Sequence, residues 1–136
     1  MISLPGWLPA CTRTAGETAE AERSMAAFYD CVNRQDITAA LDFYEPEFME
    51  RNGRERWAAR LAEARGKLGA LRKSDLLRAS AETQLGRSGG TFLLVVYRNQ
   101  YEHGIAEETL RLKQLEPGSG FKIFSHEIRS DVLRTP

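Results

Sequence analysis

The chain has 136 residues, 42% of them apolar and 28% charged, with nineteen basic side chains balancing nineteen acidic ones. That is one domain's worth of core, which excludes disordered and fibrous classes, and the zero net charge leaves no global field to attract nucleic acid or an anionic membrane. No stretch approaches the roughly 18 apolar residues of a membrane-spanning helix, and two cysteines with two histidines do not make a four-ligand zinc site, so no metal and no cofactor is expected.

Residues 1–16 read as a leader and tether. Leu8-Pro9-Ala10-Cys11, followed by the polar Thr12-Arg13-Thr14-Ala15-Gly16, resembles a bacterial lipobox, in which small residues precede a cysteine that is acylated and becomes the mature N-terminus. The stretch lacks a basic opening and its apolar run is short for an export signal. The alternative is an apolar leader with an incidental thiol. A single domain then occupies 17–130, with 131–136 as a C-terminal tail.

The first helix is predicted from Thr14 or Thr18 to about Val32, with Thr14 and Glu17 at capping-box spacing. Its apolar stripe is Ala21, Met25, Phe28, Tyr29 and Val32, and Cys31 beside it reads as a buried structural thiol. Asp36 caps a second helix through Ile37, Ala40, Leu41 and Tyr44, stopped before Pro46, and Phe48-Met49 form a short extension. After Asn52-Gly53 a third helix carries the stripe Trp57, Leu61, Ala64, Leu68 and Leu71. Gly66 and Gly69 lie inside that pattern, each costing up to about 1 kcal/mol against Ala, which points to close packing or early fraying.

From Ser74 the hydrophobic period changes from 3.6 to 2, with Leu77, Ala79, Ala81, Thr83 and Leu85 alternating with Leu76, Arg78, Ser80, Glu82 and Gln84. Gly86 to Gly90 turns the chain into Thr91–Tyr101, apolar on both faces and so a central strand. A turn at Glu102–Ile105, a strand with Ala106, Glu108, Leu110 and Leu112 on one face, a turn at Glu116–Gly120 and a strand over 121–128 complete an antiparallel meander. The predicted class is α+β: three N-terminal helices packed on a curved four-stranded antiparallel sheet, a cone-like, cystatin-like roll.

Phe28-Tyr29, Asp36-Ile37-Thr38-Ala39-Ala40-Leu41-Asp42-Phe43-Tyr44, Trp57-Ala58-Ala59-Arg60-Leu61, Val95-Val96-Tyr97 and Glu108-Thr109-Leu110, in this element order, resemble the nuclear transport factor 2-like superfamily. Within it they are similar to small bacterial envelope proteins of uncharacterised function. The resemblance implies a sheet that wraps a long helix around a cavity, and a periplasmic or envelope-anchored place with the lipid on Cys11 as the only membrane contact; the alternative is cytoplasmic. Enzymes of the superfamily set an Asp or His, often with a Tyr, inside the cone, for which Asp42, Tyr44, Tyr97, Tyr101, His126 and Glu108 are the candidates here.

The residues themselves favour packing over catalysis. Tyr97 and Tyr101 share a face with Leu93 and Val95, His126 shares parity with Phe124 and Ile128, and Asp42 points outward by helical angle. Glu108 falls on the apolar side with Leu110 and Leu112, where a strand end would expose it, and His103 sits in a turn. No nucleophile elbow or phosphate loop is present. Charge is segregated instead: the first two helices are acidic and residues 51–73 basic, so Arg54, Arg60, Arg65 and Lys67 form a candidate surface for an acidic partner or a second copy. The expected function is a non-catalytic, envelope-associated domain binding a protein or small-molecule ligand, not nucleic acid. The alternatives are an isomerase- or dehydratase-type enzyme using the cone cavity and a homodimeric scaffold.

Overall fold

The computed structural model describes residues 8–82 and 90–134. Four helices, α1 (Leu8–Asn33), α2 (Ile37–Leu41), α3 (Pro46–Asn52) and α4 (Arg54–Leu68), precede four strands, β1 (Leu71–Glu82), β2 (Thr91–Tyr101), β3 (Gly104–Gln114) and β4 (Lys122–Arg129), and a last turn of helix, α5 (Asp131–Arg134). The strands form one sheet in the order β1-β2-β3-β4, every pair antiparallel. This is the α+β arrangement that the change of hydrophobic period predicts, with one more helix before the sheet and a short one after it. Among the described residues no helix is long and apolar enough to cross a membrane.

α1 starts earlier than its capping signal implies. Because the helix already runs at Leu8, Thr14 and Glu17 do not cap it, and the early acids reach sideways instead: Thr91 Oγ1 donates to Glu17 at 3.3 Å and the Gly120 amide donates to Glu20 at 3.0 Å. Cys11 falls in the opening turns of α1, and Cys31 is buried as its stripe predicts.

The second helix stops at Leu41, short of Tyr44, because residues 43–45 are taken by the sheet. The Ile123 amide donates to Phe43 O and the Glu45 amide to Ile123 O, both at 2.8 Å, making Tyr44 and Ile123 an isolated parallel bridge. The segment after this bridge is a helix of its own, opened by Pro46, whose fixed φ and missing N–H suit a first helical position.

α4 ends at Gly69, whose φ of 80° is reserved in practice for glycine, and a Cβ there would lie 2.8 Å from Glu102 Cβ. The strand rhythm therefore begins at Leu71, ahead of Ser74. Along β1 the register shifts between Leu76 and Arg78, leaving Leu77 as the bulged residue, 54% exposed, while Leu76 and Ala79 pack on the core. Leu77 therefore does not belong to the apolar face that simple alternation assigns it. A further shift, in the β3–β4 pairing, spaces the inward Ile123 and His126 three residues apart. Phe124 is turned to the opposite face, where its ring meets Phe92 at 5.8 Å, so it does not share a side with His126. Thr83, Leu85 and the turn through Gly89 lie outside the described residues.

Phe28, fully buried, is the hub of the core, with the rings of Tyr29, Phe43, Tyr44 and His126 edge-on to it at 5.0 to 5.9 Å. Leu41, Trp57, Leu61, Leu93, Val95, Leu110 and Leu112 are among the other side chains of this core. A smaller cluster at the end of the sheet joins Ala64, Leu68 and Ala106 to Val132 and Leu133 of α5.

Candidate functional site

The inner face of the sheet carries a carboxylate in the middle of this core. Glu108 alternates with Ala106, Leu110 and Leu112 along β3, all pointing at the helices, and it is 1% exposed. A strand-end position does not rescue it to solvent, because Tyr97 of β2 and Ile128 of β4 flank it in register. A charge so placed is tolerated only if its lone pairs are filled.

Four donors fill them. Tyr29 Oη of α1 donates to Oε1 at 2.9 Å and His126 Nε2 of β4 approaches the same oxygen at 2.8 Å; Asn99 Nδ2 and Tyr101 Oη of β2 donate to Oε2 at 2.8 and 2.5 Å. The donors are themselves held, Asn99 Oδ1 by the Ser74 hydroxyl and His126 Nδ1 by Tyr44 Oη at 2.8 Å. The arrangement that leaves no buried proton without an acceptor has Nε2–H of His126 donating to Glu108 and the Tyr44 hydroxyl donating to Nδ1.

Burial pushes the Glu108 carboxyl up, but the hydrogen bond from His126, with those from Tyr101 and Asn99, outweighs it and holds the group below the usual carboxylate range. Burial drives Tyr29, Tyr44 and Tyr101 far above the ordinary phenol value, and the Glu108 charge pushes each the same way. Beside the cluster is a void of about 20 Å³ lined by Phe28, Val32, Leu61 and Ile128 among others, room for about one water.

Of the cone candidates, then, Glu108, His126, Tyr101 and Tyr44 are brought together, and Tyr29 and Asn99 join them. Tyr97 stays outside the network; its ring packs on Tyr29 at 6.0 Å, and burial, with the Glu22 charge, pushes its hydroxyl up to about 12. Asp42 is on the surface, 3.5 Å from Arg54, and His103 is exposed in the β2–β3 turn. The sign that marks Asn99 in the sequence is parity: it falls on the face of Val95, Tyr97 and Tyr101, one step along from Glu108 across the strand pair.

Trp57 Nε1, buried in the same core, has no hydrogen-bond partner among the described residues. No group of three or more His, Cys, Asp or Glu among them is placed to hold a metal ion.

The basic candidates divide. Arg54 pairs with Asp42, and Arg65 donates twice to Asn33 O, at 3.0 and 3.2 Å, closing the C-terminal end of α1. Arg60 and Lys67 instead line an open cleft of about 380 Å³ between α4 and the chain's end. A second cleft, of about 360 Å³, runs between α1 and β1 past Glu22, Asp30, Arg72 and Lys73.

No family model, curated protein or solved structure matches this chain.

Proposed function

We propose that the chain is a non-catalytic binding domain, held at the cell envelope through an acylated Cys11, that takes its ligand on its outer surface. The saturation of Glu108 carries this reading. A general base needs a free lone pair and an affinity for protons near working pH; Glu108 accepts from four donors and is shifted the other way. A phenolic acid must release its proton easily, and the tyrosines around it are shifted against that. The adjoining void of about 20 Å³ is an order of magnitude below the roughly 300 Å³ of a small-molecule site. What the cluster does is hold α1, β2, β3 and β4 in one register.

The isomerase-type reading draws on the same convergence of acid, imidazole and phenols, and one experiment separates the two. Wild type and Glu108→Gln are incubated with cyclohexanone in D2O and deuterium uptake at the α-carbons is followed by NMR. Equal background exchange is expected. Acceleration by wild type that Glu108→Gln loses overturns the non-catalytic reading. The envelope part is tested by palmitate labelling of the full gene product: label is expected in wild type and not in Cys11→Ser, and its absence from wild type removes the anchor.

A further inference from the structure

We propose that the cleft between α4 and α5 binds a small organic oxyanion, with a carboxylate or phosphate head among its arginines and a short apolar body on its floor. The proposal rests on the reading of this chain as a binding domain and names the site and the ligand class.

Arg60, Glu63, Ala64 and Lys67 follow one another at i, i+3, i+4 and i+7 on α4, and so share one face of that helix. Arg129 at the end of β4 and Arg134 of α5 line the same cleft of about 380 Å³, and both also border a neighbouring hollow with Glu107 and Asp131. Among the described residues four cations therefore line one cleft, with Glu63 the one acid beside them. That acid is already engaged by Lys67 at 3.2 Å, and the ion pair of Arg134 among the described residues is with Asp131 at 3.5 Å, where Asp131 is 95% exposed and the pair is worth little. Arg129 makes no ion pair among the described residues, although Glu107 lies opposite it in the register. Arg60 makes none either; its guanidinium lies over the Trp57 ring, 5.5 Å from the centroid.

Basic side chains nearby are built into the fold differently. Arg65 closes a helix end, Arg54 meets Asp42 and Arg72 meets Glu102 at 2.8 Å. At the cleft the cations outnumber the acids of the lining, an arrangement that an anion relieves. Guanidinium groups pair with oxyanions in a fork, two bonds at a time, which favours carboxylate and phosphate over a halide. The floor is apolar: Ala64, 8% exposed, with Ile128 and Leu133. An ion without a hydrocarbon part leaves that floor wet, so the fitting ligand carries both. The volume suits a free molecule of modest size, and the cleft opens between α4 and α5 as a pit rather than as a flat face for a bilayer.

The structure supplies a reporter. The chain has two tryptophans, and replacing the other one, Trp7→Phe, leaves Trp57 alone beneath Arg60. Drawing the Arg60 guanidinium toward a ligand changes the emission of the ring it covers. The probes are hexanoate, hexyl phosphate, inorganic phosphate and vesicles of phosphatidylglycerol with phosphatidylcholine. Saturable emission changes are expected with hexanoate and hexyl phosphate, weaker binding with inorganic phosphate, and loss of at least about tenfold in affinity in Arg129→Glu/Arg134→Glu. Both side chains are exposed, so the variant is expected to keep its circular dichroism spectrum. If that variant fails to fold, the charge-neutral Arg129→Gln/Arg134→Gln takes its place.

No saturable change with the free probes, unchanged affinity in the variant, or a response to vesicles alone each overturns the proposal. The same samples, observed by NMR, tell its failure apart from failure of the binding-domain reading. Conversion of a bound probe to product overturns the non-catalytic reading and leaves the cleft in place, whereas absence of binding removes the cleft and leaves that reading untouched.

Discussion

Glu108 sets the behaviour of this protein at the level of single groups. In Glu108→Gln an amide replaces one acceptor oxygen, so at least one of the four donors loses its partner inside the core. The expected cost is about 1–3 kcal/mol, read as a fall in the urea midpoint at neutral pH. The acid limb of stability arises from the same carboxylate. Its folded-state affinity for protons is lowered, so its contribution is fully present above the unfolded value of about 4.3 and is lost as pH falls below that value and through the folded one. Glu108→Gln should flatten this limb. The phenols act with the opposite sign: their raised folded values mean stability present below about 10 and lost as pH climbs beyond it. The sequence shows that Glu108 shares a face with Leu110 and Leu112, since parity along a strand is local information. It does not show that Tyr29, seventy-nine positions away, donates to it, because a helical stripe tells which side of Tyr29 is buried and nothing about the strand it meets.

Segments are tied end to end by short, specific contacts, and the two glycines at the end of α4 test this in opposite directions. Gly69 has a φ of 80° and a Cβ there collides with Glu102 Cβ. The same Glu102 accepts from the Ala70 amide at 2.7 Å and meets Arg72 at 2.8 Å, which clamps the end of α4 to the β2–β3 turn. Gly69→Ala should therefore destabilise by about 1–3 kcal/mol. Gly66 is helical, exposed and has nothing within 4 Å of an added Cβ, so Gly66→Ala should stabilise by about 0.5–1 kcal/mol. Chemical denaturation of the two variants side by side checks both signs. At this scale the order of helices and strands was legible, because period and breakers are written locally at Pro46 and Gly53; Gly69, read as lying inside the third helix, ends it instead. The bulges at Leu77 and Phe124 were not. A bulge is chosen by what the partner strand and the helices need, and the adjacent apolar pairs Leu76-Leu77 and Ile123-Phe124 do not say which member turns inward. The fate of 131–134 was hidden for a related reason: α5 is held by Val132 against Gly104 and by the Ser130 hydroxyl donating to Ile105 O at 2.7 Å, contacts that no run of four residues announces.

At the scale of the whole molecule, charge segregation and cooperativity are the two consequences. The acidic start and the basic middle of the chain do not simply neutralise one another. Arg54 with Asp42 crosses between them, while Lys67 with Glu63 closes within α4 and Arg34, just past α1, reaches back to Asp30. The sequence therefore showed that a basic surface exists but could not show that Arg60 and Lys67 are left at a cleft while Arg65 is spent on a helix end. Because the partners of Glu108 come from α1, β2 and β4, no part of the sheet should open alone. Unfolding monitored by Trp57 fluorescence in Trp7→Phe and by far-ultraviolet circular dichroism should give coincident transitions; separated midpoints would show that the helices and the sheet come apart independently.

The pairing of Tyr44 with Ile123, together with the imidazole of His126, has a consequence for how this protein is made. Translation releases the helices first, with their oily stripes bare, while the segment that must cover Phe28 and supply the last donor to Glu108 is still inside the ribosome. A nascent chain of this design has no self-sufficient half, and it settles only once β4 has emerged.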